Sequence, residues 1–210
     1  MIKTISEIVT GISATVIAVV AIVGLNAWRK ELSGRAIFES ARKAIKPCFK
    51  ILDAYIFATS IMTSSAESSE RVKAVDERPE QSQVLDEWYA RSKRFANVSE
   101  NYNNFVEAQW ELKTLLGSEA TKKLDIMMNE MKSIIVELSV SISFYFDCRL
   151  REAQRGEAYN DPDFMEKNHR IVYQLDNSDS IRKLKTVVAN IEVELGKYVH
   201  GIKHNKGKVS

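Results

Sequence analysis

Glycine and proline are scarce in this chain of 210 residues, which has 8 glycines and 3 prolines. Folds built from many tight turns, such as β-sandwiches and β-propellers, need more of both, so the composition excludes them. Two cysteines are too few for a disulfide-stapled scaffold. The 30 basic and 28 acidic residues leave a net charge of +2, so no excess of one sign points to nucleic acid.

Motifs for catalysis and for cofactor binding are also missing. The chain contains no phosphate-binding loop, no dinucleotide-binding glycine pattern and no nucleophile elbow. Cys48 and Cys148 lie on apolar helix faces, with no neighbouring base in the sequence to activate a thiol. We therefore predict no catalytic residue and no cofactor.

Histidine offers little for a metal site. His200 and His204 are four residues apart, but zinc needs three or four ligands and no further one is evident nearby. Glu166 and His169 form a single E-x-x-H motif, whereas di-iron helical bundles use two. We predict no metal.

The strongest positive feature is an uncharged run of 21 residues from Ile8 to Trp28. As a helix it would cover about 30 Å, the hydrocarbon thickness of a bilayer. The alternative is a cleaved signal peptide, which needs a basic start and a short apolar core, but here Lys3 is balanced by Glu7. The pattern therefore predicts a retained transmembrane helix.

Basic residues are concentrated after this run. The segment 29–50 contains seven basic residues and two acidic ones, and such an excess marks the cytoplasmic side. We expect a single-pass protein with its N-terminus outside and its C-terminal domain in the cytoplasm. Both cysteines are then expected to be reduced thiols.

Apolar residues beyond the run recur with helical, heptad-like spacing, which predicts four amphipathic helices. Pro47 is expected to kink or break the first of them, and Gly117 to end the second, with Ser118 capping the third. The predicted organisation is a membrane anchor (1–30), a kinked juxtamembrane helix (31–62), a linker (63–83), a bundle core (84–200) and a basic tail (201–210). The predicted fold is all-α: a transmembrane helix followed by an antiparallel up-and-down four-helix bundle. The long loops 63–83 and 156–178 are expected to carry functional residues, because long connections in compact domains often do.

Two groups of residues are candidate sites. Small residues on one face of the apolar run, which would let two membrane helices pack closely, are Gly11, Ala14, Ala18 and Ala21. Basic residues expected to lie against anionic lipid, with an ordinary solvated helix face as the alternative, are Arg42, Lys43 and Lys46.

The stretch from Trp28 to Ala41 reads WRKELSGRAIFESA. With the apolar run before it, this stretch resembles the juxtamembrane start of a group of uncharacterised bacterial single-span membrane proteins, with W-x-x-E-L-x-G followed by E-x-A. The resemblance covers about 35 residues. It implies a bacterial inner-membrane protein with a helical cytosolic domain, and it implies no activity.

The leading functional hypothesis is a non-catalytic, membrane-anchored helical protein whose bundle binds a protein partner or senses a state. The alternative is a membrane-perturbing or toxin-like effector that acts through an oligomerising transmembrane helix. Expected partners are the lipid bilayer and either another protein or further copies of the chain. An enzyme is the third hypothesis, because a fold by itself does not determine function.

Overall fold

The structure is a computed structural model that describes residues 2–156, 159–174 and 178–199, with side chains from Thr15 onward. Every regular element in these residues is a helix, which confirms the all-α prediction. The helices are α1 (Ile2–Thr59), α2 (Ser65–Ser68), α3 (Pro79–Leu116), α4 (Ser118–Arg155), α5 (Pro162–Val172) and α6 (Asp179–Val199).

Four of these helices form a ring around one core. The second half of α1 packs against α3 and α6, and α4 closes the ring by packing against the same two helices. Gly117 alone separates α3 from α4, and its φ of 83° reverses the chain, so these two helices are antiparallel neighbours. Gly117 is also the N-cap residue of α4. The prediction that Ser118 is this N-cap is therefore wrong.

The core consists of the apolar faces that the spacing predicted. Side chains that are no more than 2% exposed include Ile51, Tyr55, Phe105, Leu112, Leu124, Met131, Leu138, Ile181, Leu184 and Ile191. They come from α1, α3, α4 and α6, because each of these helices has one apolar stripe that has to be removed from water.

The prediction of a transmembrane helix is wrong. No helix among the described residues is long and apolar enough to cross a membrane. The uncharged run from Ile8 to Trp28 lies within α1. The same helix then continues directly into the charged residues 29–31. The associated localisation, a single-pass bacterial inner-membrane protein with an outside N-terminus and a cytoplasmic C-terminal domain, is corrected with it.

Pro47 does not break α1, which runs without interruption from Ile2 to Thr59. A proline inside a helix removes the hydrogen bond to the carbonyl four residues earlier, here that of Lys43. The helix continues because Ala44 and Cys48, on either side of Pro47, are buried in the core and hold the backbone in place.

A buried arginine joins three parts of the chain at the end of the bundle where α1 terminates. The Arg91 side chain on α3 is 0% exposed. Its guanidinium donates to the carbonyl oxygens of Ala58 (3.0 Å), Ser60 (3.1 Å) and Val172 (3.3 Å). The last carbonyls of a helix lack backbone donors and carry partial negative charge, so a cation is favourable there. Arg91 therefore fixes the ends of α1 and α5 to α3.

Arg94, one turn further along α3, acts on the same end of α1. Its guanidinium donates to the carbonyl oxygens of Phe57 (3.1 Å) and Met62 (2.7 Å), and it stacks on the Phe57 ring. Glu67, close to the end of α2, forms an ion pair with it. The carboxylate balances the charge of Arg94 and ties the short helix α2 to α3.

We predict that Arg91→Met lowers the free energy of unfolding by about 3 kcal/mol, because three carbonyl oxygens lose their donor at a buried site. Urea unfolding followed by circular dichroism measures the change. The control is Arg182→Met on α6, where the arginine side chain is 68% exposed. This variant should stay within about 0.5 kcal/mol of the unaltered protein. Equal losses in the two variants would contradict a special role for Arg91.

Candidate functional site

A groove between α1 and α3 is lined by four basic side chains. Arg42, Lys43, Lys46 and Lys50 line it from α1, and all four are exposed. Arg42 and Lys43 precede Lys46 by four and three residues respectively, and Lys50 follows it by four, so all four lie on one helix face along a length of about 12 Å. The groove has a volume of about 380 Å³.

The opposite wall of this groove is polar. Asn101 and Asn104 line it from α3, and the Nδ2 of Asn101 donates to the Asn97 carbonyl oxygen at 2.7 Å. Pro47 also lines the groove, at the position where α1 lacks one backbone hydrogen bond. The groove therefore combines cations with side-chain amides, which both donate and accept hydrogen bonds.

The positive charge of the groove is only partly neutralised. Lys43 forms an ion pair with Glu111 at 3.3 Å, with the two side chains 63% and 52% exposed, and Glu39 lies at the rim. Within the described ranges, Arg42, Lys46 and Lys50 have no acidic side chain at ion-pair distance. Three cations thus face solvent without a partner, which favours an anionic ligand.

The structure brings together the basic residues that the sequence singled out. Arg42, Lys43 and Lys46 share the groove with Lys50, and their contact with lipid stays a prediction. The contribution of Asn101 and Asn104 was missed, because nothing in their sequence surroundings distinguishes them from ordinary exposed helix residues.

The first part of α1 projects beyond the bundle. Its residues from Thr15 to Arg35 are all exposed, and the helix first packs against the core near Ile37. Ala18 and Ala21 of the predicted packing face lie on this exposed part, whereas the side chains of Gly11 and Ala14 lie outside the described residues. The large apolar side chains here are 45–68% exposed: Val16, Ile17, Val19, Val20, Ile22, Val23, Leu25, Trp28 and Leu32.

The loop predicted for 63–83 is held down by ion pairs. The guanidinium of Arg71 binds both carboxylate oxygens of Glu77 and donates to Asp86 on α3 at 2.6 Å. Lys73 donates to Asp86 and to Ser82, each at 2.9 Å. Within the segment 63–83, α2 forms one helical turn and α3 already begins at Pro79.

The second predicted loop contains α5, and its aromatic side chains pack on α4. The Tyr173 ring lies edge-on to Tyr145 and beneath the Arg91 guanidinium at 4.0 Å, and its hydroxyl donates to Glu87 at 2.6 Å. The tilted His169 ring contacts both tyrosine rings, with its centroid 5.5 Å from that of Tyr145 and 4.6 Å from that of Tyr173. These contacts fix the end of α5 to the bundle.

Glu166 and Cys48, considered above as a metal ligand and a reactive thiol, lie in an ion pair and in the buried core respectively. Glu166 pairs with Arg170, and the described ranges contain no group of three or more side chains able to hold a metal ion. His200 and His204 lie outside those ranges. Cys48 is buried and forms no disulfide. Burial raises the pKa of its thiol, so less of the reactive thiolate is present.

Comparisons of the chain with protein-family models, with curated proteins and with solved structures find no match. The resemblance of residues 28–41 to a group of uncharacterised bacterial proteins therefore stays a prediction.

The ion pairs of the first loop predict a pH dependence of stability. Arg71 lowers the pKa of Glu77 from its ordinary value of 4.5 to about 2. A pKa lowered by folding stabilises the folded state above pH 4.5, and this stabilisation is lost as the pH falls towards 2. The melting temperature of Glu77→Gln should therefore lie below that of the unaltered chain at pH 6, and the difference should shrink as the pH falls from 4.5 through 2.

The matched control for this measurement is the same substitution in an Arg71→Met background. There the curves of melting temperature against pH with and without Glu77→Gln should lie much closer together, because the cation that most lowers the pKa of Glu77 is gone and only weaker donors such as the Ala74 N–H remain. A difference that persists unchanged in this background would show that Arg71 is not the cause.

Proposed function

We propose that this protein is a non-catalytic interaction protein, and that further copies of the chain associate through the exposed first part of α1. The observation that carries the proposal is the set of nine large apolar side chains between Val16 and Leu32, each 45–68% exposed. A helix that is apolar all round is normally buried, and full burial of one such side chain is worth about 1.5–3 kcal/mol. Nine of them therefore favour association strongly.

The composition of this segment favours a second copy as the partner. No charged side chain lies between Thr15 and Trp28, so identical segments can meet without charge repulsion. Ala18 and Ala21 are one turn apart on the same face, and small side chains let two helix backbones approach closely. Symmetric assemblies of identical chains are also the commonest oligomers.

The strongly interacting polar groups support a binding role rather than catalysis. Arg91 and Arg94 are occupied by helix-end carbonyl oxygens, and Arg71 by Glu77 and Asp86. Each of these groups thus holds elements of the fold together. The alternative of a membrane-perturbing effector depended on a spanning helix, and no helix among the described residues is long and apolar enough to be one.

Disulfide crosslinking tests the proposed association. Ala18→Cys places a thiol on the small-residue face, and Val23→Cys places one about 140° away around the helix. We expect mild oxidation to give a covalent dimer with Ala18→Cys and much less with Val23→Cys. The native thiols of Cys48 and Cys148 are buried, so the unaltered chain supplies the background.

Light scattering after gel filtration gives the mass of the unaltered chain. A multiple of 23.9 kDa is expected. A monomeric mass together with no covalent dimer from either cysteine variant would contradict the proposal. Equal dimer yields would contradict only the assignment of the Ala18 face.

A further inference from the structure

We propose that the basic groove between α1 and α3 binds an extended, acidic polypeptide segment of a partner protein, with acidic residues at alternate positions. The groove is lined by different residues from those of the exposed part of α1, so this inference does not depend on self-association.

The spacing of the cations matches an extended peptide. Arg42, Lys46 and Lys50 are four residues apart in sequence, so their positions along the helix axis differ by about 6 Å per step. Side chains at alternate positions of an extended strand point to the same side and repeat every 6.4–6.8 Å, or roughly 6.6 Å. A segment of the form acidic-x-acidic-x-acidic can therefore place one carboxylate near each of the three unpaired cations.

The other groups of the groove suit a peptide backbone. The side-chain amides of Asn101 and Asn104 each offer a donor and an acceptor, the two functions that peptide N–H and C=O groups require. An anionic lipid headgroup or a sugar-phosphate backbone has no regular series of N–H groups to match.

The acidic residues near the groove also favour a peptide over a phosphate polymer. Glu39 lies at the rim, and Glu111 faces Lys43 at 3.3 Å. A uniformly charged phosphate chain would be repelled by these carboxylates, whereas a peptide can place neutral residues beside them. The exposed Lys43–Glu111 pair is worth about 0–1 kcal/mol, so a ligand carboxylate can compete for Lys43.

Fluorescence anisotropy with the full chain tests this inference. The probe is a fluorescein-labelled peptide of alternating glutamate and serine, compared with a peptide of the same composition whose glutamates form one block. We expect the alternating peptide to bind more tightly, and binding to weaken as salt is added.

Charge reversal identifies the surface that binds the peptide. Lys46→Glu combined with Lys50→Glu should weaken binding by about tenfold or more, because two attractions become repulsions. The matched control is Lys132→Glu combined with Lys185→Glu, which makes the same change in net charge at exposed positions outside the groove. This control should stay within about twofold of the unaltered chain. If the charge-reversed protein does not fold, Lys46→Gln with Lys50→Gln should weaken binding by about threefold.

Three results would overturn the proposal. The first is binding of the alternating peptide that is unaffected by changes at Lys46 and Lys50. The second is failure of the unaltered chain to bind the alternating peptide more tightly than the block peptide. The third is tighter binding, through the same two lysines, of vesicles containing phosphatidylserine or of a DNA duplex, which would assign the groove to a different anion.

Discussion

The packing of this protein depends on two arginines of α3 that satisfy the carbonyl oxygens at the end of α1. Arg91 and Arg94 together donate to Phe57, Ala58, Ser60 and Met62. A long helix that ends inside a bundle leaves several carbonyls without a backbone donor, and burying them unpaired costs free energy. The guanidiniums remove this cost. Arg91 also reaches Val172, so the ends of α1 and α5 are fixed by the same side chain.

The bundle could be predicted largely from the sequence, because apolar side chains at helical spacing fix which face of each helix is buried. The predicted helix end at Gly117 is confirmed, and the positive φ of Gly117 is a conformation that favours glycine. Arg91 occupies a position in the apolar stripe between Val84 and Val98, and a charged residue in such a stripe signals a buried polar contact. Its acceptors lie up to 81 residues away, so sequence spacing could not identify them.

The errors of sequence reasoning are concentrated in α1. An uncharged run suggested a separate anchor, and Pro47 suggested a break, yet both lie in one helix of 58 residues. Local propensity describes each segment alone, whereas the continuity of α1 depends on packing of its second half against α3 and α6. Only the basic residues of the groove could be predicted from the sequence, for a related reason. Residues on one helix face can be predicted from spacing, but Asn101 and Asn104 join them only through tertiary packing.

The continuity of α1 also determines how the two proposed surfaces are related. The exposed apolar part and the basic stripe lie on the same helix, and only the turns between Arg35 and Arg42 separate them. Parallel association of the apolar parts of two copies would bring their basic stripes to the same level along the assembly. Unpaired cations at one level repel each other over a distance of about 10 Å at moderate salt. An acidic segment in each groove would neutralise these cations, so under the two proposals occupancy of the groove and parallel association of α1 would favour each other.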